Sequence, residues 1–164
     1  MDFIRKIARW LDAIPYSLIA LFLRFVVAHP FFVSGQTKIE GPTLGREIFG
    51  LDLSFQIPTA VRSATFALFA DEYKLPLISP TAAAYVASGL EFVLPLLLVL
   101  GLLTRLSAFI LLGMTLVIQI FVYPDAWWTV HAYWMAILAV LIVRGPGAIS
   151  LDHLLFRAWS PRRA

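Results

Sequence analysis

Pro80 to Leu100 reads PTAAAYVASGLEFVLPLLLVL, an apolar run with a single charge, Glu91. A bilayer core of about 30 Å needs roughly 20 apolar residues of helix, and this stretch has that length and composition. Three other stretches read the same way. Pro15 to Ser34 is strongly polar only at Arg24 and His29, and Leu106 to Tyr123 carries Gln119. Val130 to Val143 is short, but Trp127 and Trp128 extend it as interfacial anchors. The expected fold is all-α: an integral membrane four-helix bundle. Its spans fall at about residues 15–34, 80–100, 106–123 and 128–143, in one membrane domain covering 1–164.

Composition agrees. Of 164 residues, 60% are hydrophobic and 14% charged, and the mean hydropathy is +0.85. Soluble domains average roughly 45–50% apolar and about 25% charged residues, so a water-soluble enzyme, a disordered chain and a nucleic-acid binder are excluded. The chain has no cysteine. That removes disulfides, zinc-thiolate sites, iron–sulfur ligation and a thiol nucleophile. Redox chemistry here would need a bound cofactor or a partner chain.

The first span is longer than the usual signal-peptide core of roughly 7–15 residues and no Ala-x-Ala site follows it, so it reads as an uncleaved anchor. Arg5, Lys6, Arg9, Arg105, Arg144, Arg157, Arg162 and Arg163 fall on one side of the spans. Lys38, Arg46, Arg62 and Lys74 fall on the other, among Glu40, Glu47, Asp52, Asp71 and Glu72. The positive-inside rule then places both termini in the cytoplasm, as in a multi-pass protein of a cell inner membrane. The net charge of +3 follows from topology and contact with anionic lipid, without a nucleic acid.

Phe3, Ile4, Ile7, Leu11 and Ile14 recur at helical spacing, as do Leu151, Leu154, Leu155, Ala158 and Trp159 after a candidate N-cap, Ser150. Both predict amphipathic helices lying on the membrane. The segment 35–79 is too long for a bare loop. Within it, Ile57 to Ala70 is apolar, too short to span, and has Pro58 near its start. A short helix on the outer face, or a re-entrant one, is expected there. Ala84 and Ser88 form a small-xxx-small pair that permits close helix contact.

Ionisable residues inside a membrane cost roughly 2.5–3.5 kcal/mol each at its centre and call for partners. Arg24 lies nine residues after Pro15, and Glu91 nine before Leu100 on a helix running the other way. Both come about 13 Å from the cytoplasmic edge, which predicts an Arg24–Glu91 ion pair. Pro95 cannot donate to the carbonyl of Glu91, so a free carbonyl shares the carboxylate's depth. The pair reads as a helix lock, as a proton-handling group or as a substrate contact.

A second polar layer lies about 20 Å from the same edge by the same arithmetic: His29, Gln119 and His131. Tyr85 is near this depth, and Tyr123 shares the helix face of Gln119. These residues are candidate contacts for a quinone headgroup entering from the bilayer. The simpler reading of the same layer is interhelical hydrogen bonds with an aromatic belt. Two histidines without ligand spacing make a poor metal or haem site, and no metal is expected.

Four motifs in order carry a family resemblance. Phe32-Val33-Ser34-Gly35-Gln36-Thr37-Lys38 fits F-x-S-G-x-x-K, and Phe69-Ala70-Asp71-Glu72-Tyr73-Lys74-Leu75-Pro76 fits F-x-x-E-Y-x-x-P. Gly101-Leu102-Leu103-Thr104-Arg105 fits G-L-x-T-R after a helix bearing Glu91. Gly145-Pro146-Gly147-Ala148-Ile149-Ser150-Leu151-Asp152 fits G-P-G-x-x-S-L-D. The chain resembles the DoxX family of small four-helix membrane proteins, from roughly Leu18 to Leu155, with Gly41 to about Ser63 resembling an insertion. The resemblance implies a membrane subunit or accessory of a quinone-linked redox or stress-defence complex, with protein partners. It implies no self-contained catalytic motif; the chain would be at most a subunit of a membrane oxidoreductase. Two alternatives come from other classes: a small transporter for a metal or small solute, which would need a homo-oligomer, and a structural membrane anchor for partner proteins.

Overall fold

A computed structural model describes residues 2–48, 51–52 and 54–159. Arg162 and Arg163, counted above for topology, lie outside the described residues. Among these residues, Tyr16–Lys38, Pro80–Leu100, Thr104–Val122 and Pro124–Arg144 are long and apolar enough to cross a membrane. The chain is an all-α, multi-pass membrane protein. In order, the helices are α1 (Asp2–Asp12), α2 (Tyr16–Lys38), α3 (Ser63–Ala67), α4 (Pro80–Leu100), α5 (Thr104–Val117), α6 (Ala132–Arg144) and α7 (Leu151–Trp159). We call the end with both termini the basic end and the opposite one the hairpin end.

Local chemistry sets the helix limits. Ser79 caps α4 by accepting from the backbone N–H of Ala82 at 3.3 Å, with Pro80 in the first turn. Gly101 ends α4 at φ +69°, a left-handed position that favours glycine. Three residues on, α5 begins, and the Asp152 carboxylate of α7 accepts from the N–H groups of Leu103 (2.8 Å) and Thr104 (2.9 Å). An acid thus sits at the positive end of the α5 dipole. The Ser150 hydroxyl accepts from His153 N–H at 3.2 Å, as its N-cap assignment requires.

Val27, Phe31, Leu94, Leu98, Leu111, Leu138 and Leu141 fill the centre of the bundle. Phe22, Phe25, Val93, Phe109 and Val143 are exposed on its outside. An exterior as apolar as the core fits helices surrounded by hydrocarbon. On α1, Phe3, Ile4, Trp10 and Leu11 are exposed, and on α7 so are Leu154, Leu155, Phe156 and Trp159. Both terminal helices leave an apolar stripe without a protein partner, as interfacial helices do.

The hairpin end departs from the sequence reading in two ways. First, α2 continues past Ser34 to Lys38. Its last turn is polar yet helical because protein groups satisfy it: Thr37 Oγ1 donates to the Ser34 carbonyl at 2.7 Å, and Lys38 reaches across to α4. Second, the chain from Ile39 to Val61 forms a ladder of three antiparallel pairs: β1 (Ile39–Glu40) with β6 (Ala60–Val61), β2 (Thr43–Leu44) with β5 (Phe55–Gln56), and β3 (Glu47–Ile48) with β4 (Leu51–Asp52). The expected helix from Ile57 therefore starts at Ser63 instead, and Pro58 sits between strands rather than in a first turn. The β-formers Ile39 and Val61, and Leu44 and Phe55, face each other across the ladder, and that pairing overrides the helical reading. Gln36 and Gln56 dock the hairpin on α2: Gln56 N–H donates to Gln36 Oε1 at 2.6 Å, and Gln36 Nε2 donates to the Gln56 carbonyl at 3.3 Å.

Candidate functional site

Gly35 fixes how the first two spans meet. A Cβ at this position would lie 3.0 Å from both the carbonyl carbon and the carbonyl oxygen of Glu91. The approach occurs where Pro95 leaves the Glu91 carbonyl without its helical donor, so the α4 backbone is open to a close neighbour. One turn further along α2, Lys38 Nζ lies 2.6 Å from Glu91 Oε2, with both side chains buried. Ser34 completes the cluster. Its Oγ accepts from Lys38 Nζ at 2.6 Å and its carbonyl accepts at 3.4 Å. All three ammonium protons are therefore used, as a buried ion pair requires.

A second cluster faces this one from the turns that follow α5 and precede α6. His131 is buried, with Nδ1 2.6 Å from Gln119 Oε1. The amide orientation follows from its other contact, because Gln119 Nε2 donates to the Pro124 carbonyl at 2.6 Å. A carbonyl only accepts, so Oε1 must face the imidazole and Nδ1 must carry a proton. Nε2 is left without a hydrogen-bond partner among the described residues. Trp134 packs against the imidazole at 5.5 Å and against Phe31 at 5.0 Å.

Tyr73 and Tyr123 close the hairpin end, ring edge to ring face at 6.3 Å. Burial pushes the Tyr73 phenol up, and the hydrogen bond and charge of Tyr123 add to the shift, so Tyr73 stays a protonated donor. Three π-helical turns surround this end: Leu68–Tyr73, Ile118–Val122 and Trp127–His131. Such turns re-aim side chains within a helix and are frequent at functional sites.

Between these groups lies a cavity of about 690 Å³. Ser34, Lys38, Glu91, Tyr73, Tyr123 and His131 contribute its polar groups, and Phe31, Leu90, Met114 and Trp134 are among its apolar walls. Size and lining are those of a small-molecule site: mostly apolar, with few convergent polar groups. Lys38 and Glu91 offer a charge-assisted pair, His131 a free imidazole nitrogen, and Tyr73 a phenol proton.

The expected Arg24–Glu91 ion pair does not exist. Gly35, not Arg24, faces Glu91, and Arg24 and Gly35 are eleven positions apart, about 16 Å of helix, beyond the reach of an arginine. The depth arithmetic failed because it assumed that α2 and α4 end at one plane, whereas the Gly35 contact slides α2 past α4 toward the basic end. Arg24 is fully buried and donates to the carbonyls of Leu98 (3.4 Å), Val99 (3.1 Å) and Ile149. The last carbonyls of a helix lack intrahelical donors and carry the negative end of its dipole. Arg24 therefore caps α4 and ties it to the 145–150 turn, away from the cavity.

Of the remaining candidates, His131 and Tyr123 line the cavity, and Gln119 stands behind His131 as its hydrogen-bond partner. His29 is exposed on α2 and Tyr85 is exposed on α4 with its ring against Phe66; neither lines the cavity. The face of α4 that carries Tyr85 points elsewhere, and the slide of α2 carries His29 toward the basic end, away from the depth of His131. Sequence reasoning missed Ser34, Lys38 and Tyr73. A signal was present: Ser34 and Lys38 are four residues apart, so they share a face if the helix continues through them.

The DoxX family matches residues 19–132. A chain from Haemophilus influenzae (strain ATCC 51907 / DSM 11121 / KW20 / Rd), itself described as an uncharacterized protein, is similar at 30% identity over 156 residues, covering 85% of this chain and 84% of that one. No solved structure matches.

Proposed function

The chain belongs to the DoxX family, and from that premise we propose that it is a membrane subunit or accessory of a quinone-linked redox or stress-defence complex in a cell inner membrane. The cavity near Glu91 and His131 is the proposed site for the quinone headgroup. One observation carries this reading: an apolar cavity of about 690 Å³ holds an acid on one wall and an imidazole on another.

Interconversion of quinone and quinol moves two electrons and two protons. The electrons would come from, or go to, a redox cofactor on a partner protein, because this chain has no cysteine to carry them. The protons are what these residues can handle. Glu91 accepts a proton when its contact with Lys38 opens, Lys38 staying held by Ser34. His131 keeps its proton on Nδ1 through Gln119 and presents Nε2 to a second hydroxyl. Tyr73 donates a hydrogen bond to a quinone oxygen. Aromatic walls at Phe31 and Trp134 suit a flat ring.

The test is ligand content. The protein is purified from native membranes in mild detergent, extracted with organic solvent, and its quinone counted by mass spectrometry. About one quinone per chain is expected for a formed site of this size. It should be lost in Glu91→Gln and His131→Ala and kept in His29→Ala, which lies outside the cavity. Folded protein that carries no quinone and binds none when it is added back would refute the reading.

The hairpin favours a second reading, a membrane anchor for a partner protein. The ladder from Ile39 to Val61 carries exposed Leu44 beside charged residues, a surface that the bundle itself does not use. Replacing residues 42–57 by a short Gly-Ser turn should abolish co-purification of partners and leave the spans folded. Unchanged co-purification would count against it.

A further inference from the structure

The cavity has an open side. Val86 on α4 and Phe109, Val117 and Phe121 along α5 and its π-helical turn line it, yet each is exposed on the outside of the bundle. A side chain that both lines a cavity and faces outward belongs to its mouth. These residues bound the cleft between α4 and α5, and no charged residue lies among them. Gly113 lies midway between Phe109 and Val117 on the same face of α5. It lines the cavity, and a Cβ built on it would meet nothing within 4 Å. Gly113 is nine residues from the start of α5, and Glu91 is nine from the end of α4, so the mouth opens at the depth of the carboxylate.

The cavity is thus polar at its inner wall and apolar at its mouth, and the mouth opens within the hydrocarbon region. A water-soluble solute has no use for such an opening. We propose that the cleft between α4 and α5, with Gly113 at its centre, is a lateral portal through which the ligand's hydrocarbon tail leaves the cavity for the bilayer. The ligand class is a single-tailed, lipid-soluble molecule, its head held near Glu91 and His131 and its chain passing over Gly113. This rests on reading the same cavity as a ligand site, and it adds the tail, the route and the residue that controls it. Gly113 leaves the gap that a chain needs; a Cβ there meets no neighbour, so the side chain of a leucine would start in that gap and occupy it.

The probe is a long-chain alcohol with a diazirine at mid-chain, added to the full-length protein in liposomes, photolysed and mapped by mass spectrometry. It contains no quinone, so it tests the portal separately from the headgroup. Adducts are expected inside, on Glu91 or Met114, as well as on outward-facing Phe22 and Phe25. Gly113→Leu should lose the inner adducts and keep the outer ones, which also report that the variant is inserted and folded. Gly89→Leu is the control: Gly89 has the same open surroundings but does not line the cavity, and all adducts should persist. Outer adducts alone on the wild-type protein, or inner adducts unchanged by Gly113→Leu, would overturn the portal. A decyl-substituted benzoquinone should displace the inner adducts. If the alcohol labels the interior in the portal-dependent way and the quinone does not compete, the portal stands and the quinone reading fails.

Discussion

Lys38 Nζ and Glu91 Oε2 meet at 2.6 Å, joining the last turn of the first span to the middle of the second. The contact does two things. It gives a buried carboxylate its counter-charge, and it pulls a polar helical turn onto the bundle, where the hairpin and α3 then attach. Thr65 Oγ1 donates to the Lys38 carbonyl at 3.1 Å, and Arg62 N–H donates to the same carbonyl at 2.9 Å.

Removing one partner strands the other. Lys38→Met or Glu91→Leu alone should cost about 3–5 kcal/mol of stability, whereas the double variant should recover most of that loss. Thermal unfolding of the four proteins in one detergent measures the coupling. Additive losses would show that the contact does not link the two helices.

Gly35→Ala tests the helix approach. The added Cβ must push Glu91 away, at a cost of about 1–3 kcal/mol for overpacking. Gly113→Ala, whose Cβ meets open space, should be neutral or slightly stabilising. Equal melting temperatures for the two variants would contradict the register.

Arg24 and the cavity are separate systems. Arg24→Met should lower stability by leaving the carbonyls of Val99 and Ile149 without a donor, at about 1–3 kcal/mol for each that stays buried, whereas the Leu98 carbonyl keeps the N–H of Gly101 at 3.1 Å. It should leave ligand content unchanged. A folded Arg24→Met protein that loses its ligand would place Arg24 in the site after all.

Asp152→Ala should destabilise by about 0.5–2 kcal/mol through the lost cap on α5, and Asp152→Asn by less, since an amide oxygen still accepts. Amide hydrogen exchange at Leu103 and Thr104 should rise in the alanine variant. Unchanged exchange would mean that water already serves those groups.

Gln119 sets the His131 tautomer. Nitrogen NMR on labelled protein should find the proton on Nδ1 in the wild type and a mixture of tautomers in Gln119→Leu. A dominant Nε2–H form in the wild type would reverse the assignment.

Much of this was legible in the sequence. The spans follow from apolar run length, the short helix in the outer segment from its composition, and the terminal amphipathic helices from their periodicity. Among the residues named from the sequence, His131, Tyr123 and Glu91 line the cavity, and they were named because a polar group in an apolar helix stands out. Ser34 and Lys38 were missed because a polar turn at the end of a span looks like loop until its partners are known. His29 and Tyr85 were included on depth counted along single helices, which fixes neither how far α2 slides past α4 nor which way each helix turns its faces.

The sequence by itself determined that this chain lives in a membrane, how many times it can cross, and that it must bury an acid. Those properties depend on single segments and on the energy of moving them into hydrocarbon. Only the tertiary structure decided which cation that acid meets, because the pairing depends on how far one helix slides along another. That slide is set by the contact of Gly35 with the Glu91 backbone, a relationship between two distant residues that neither segment carries alone.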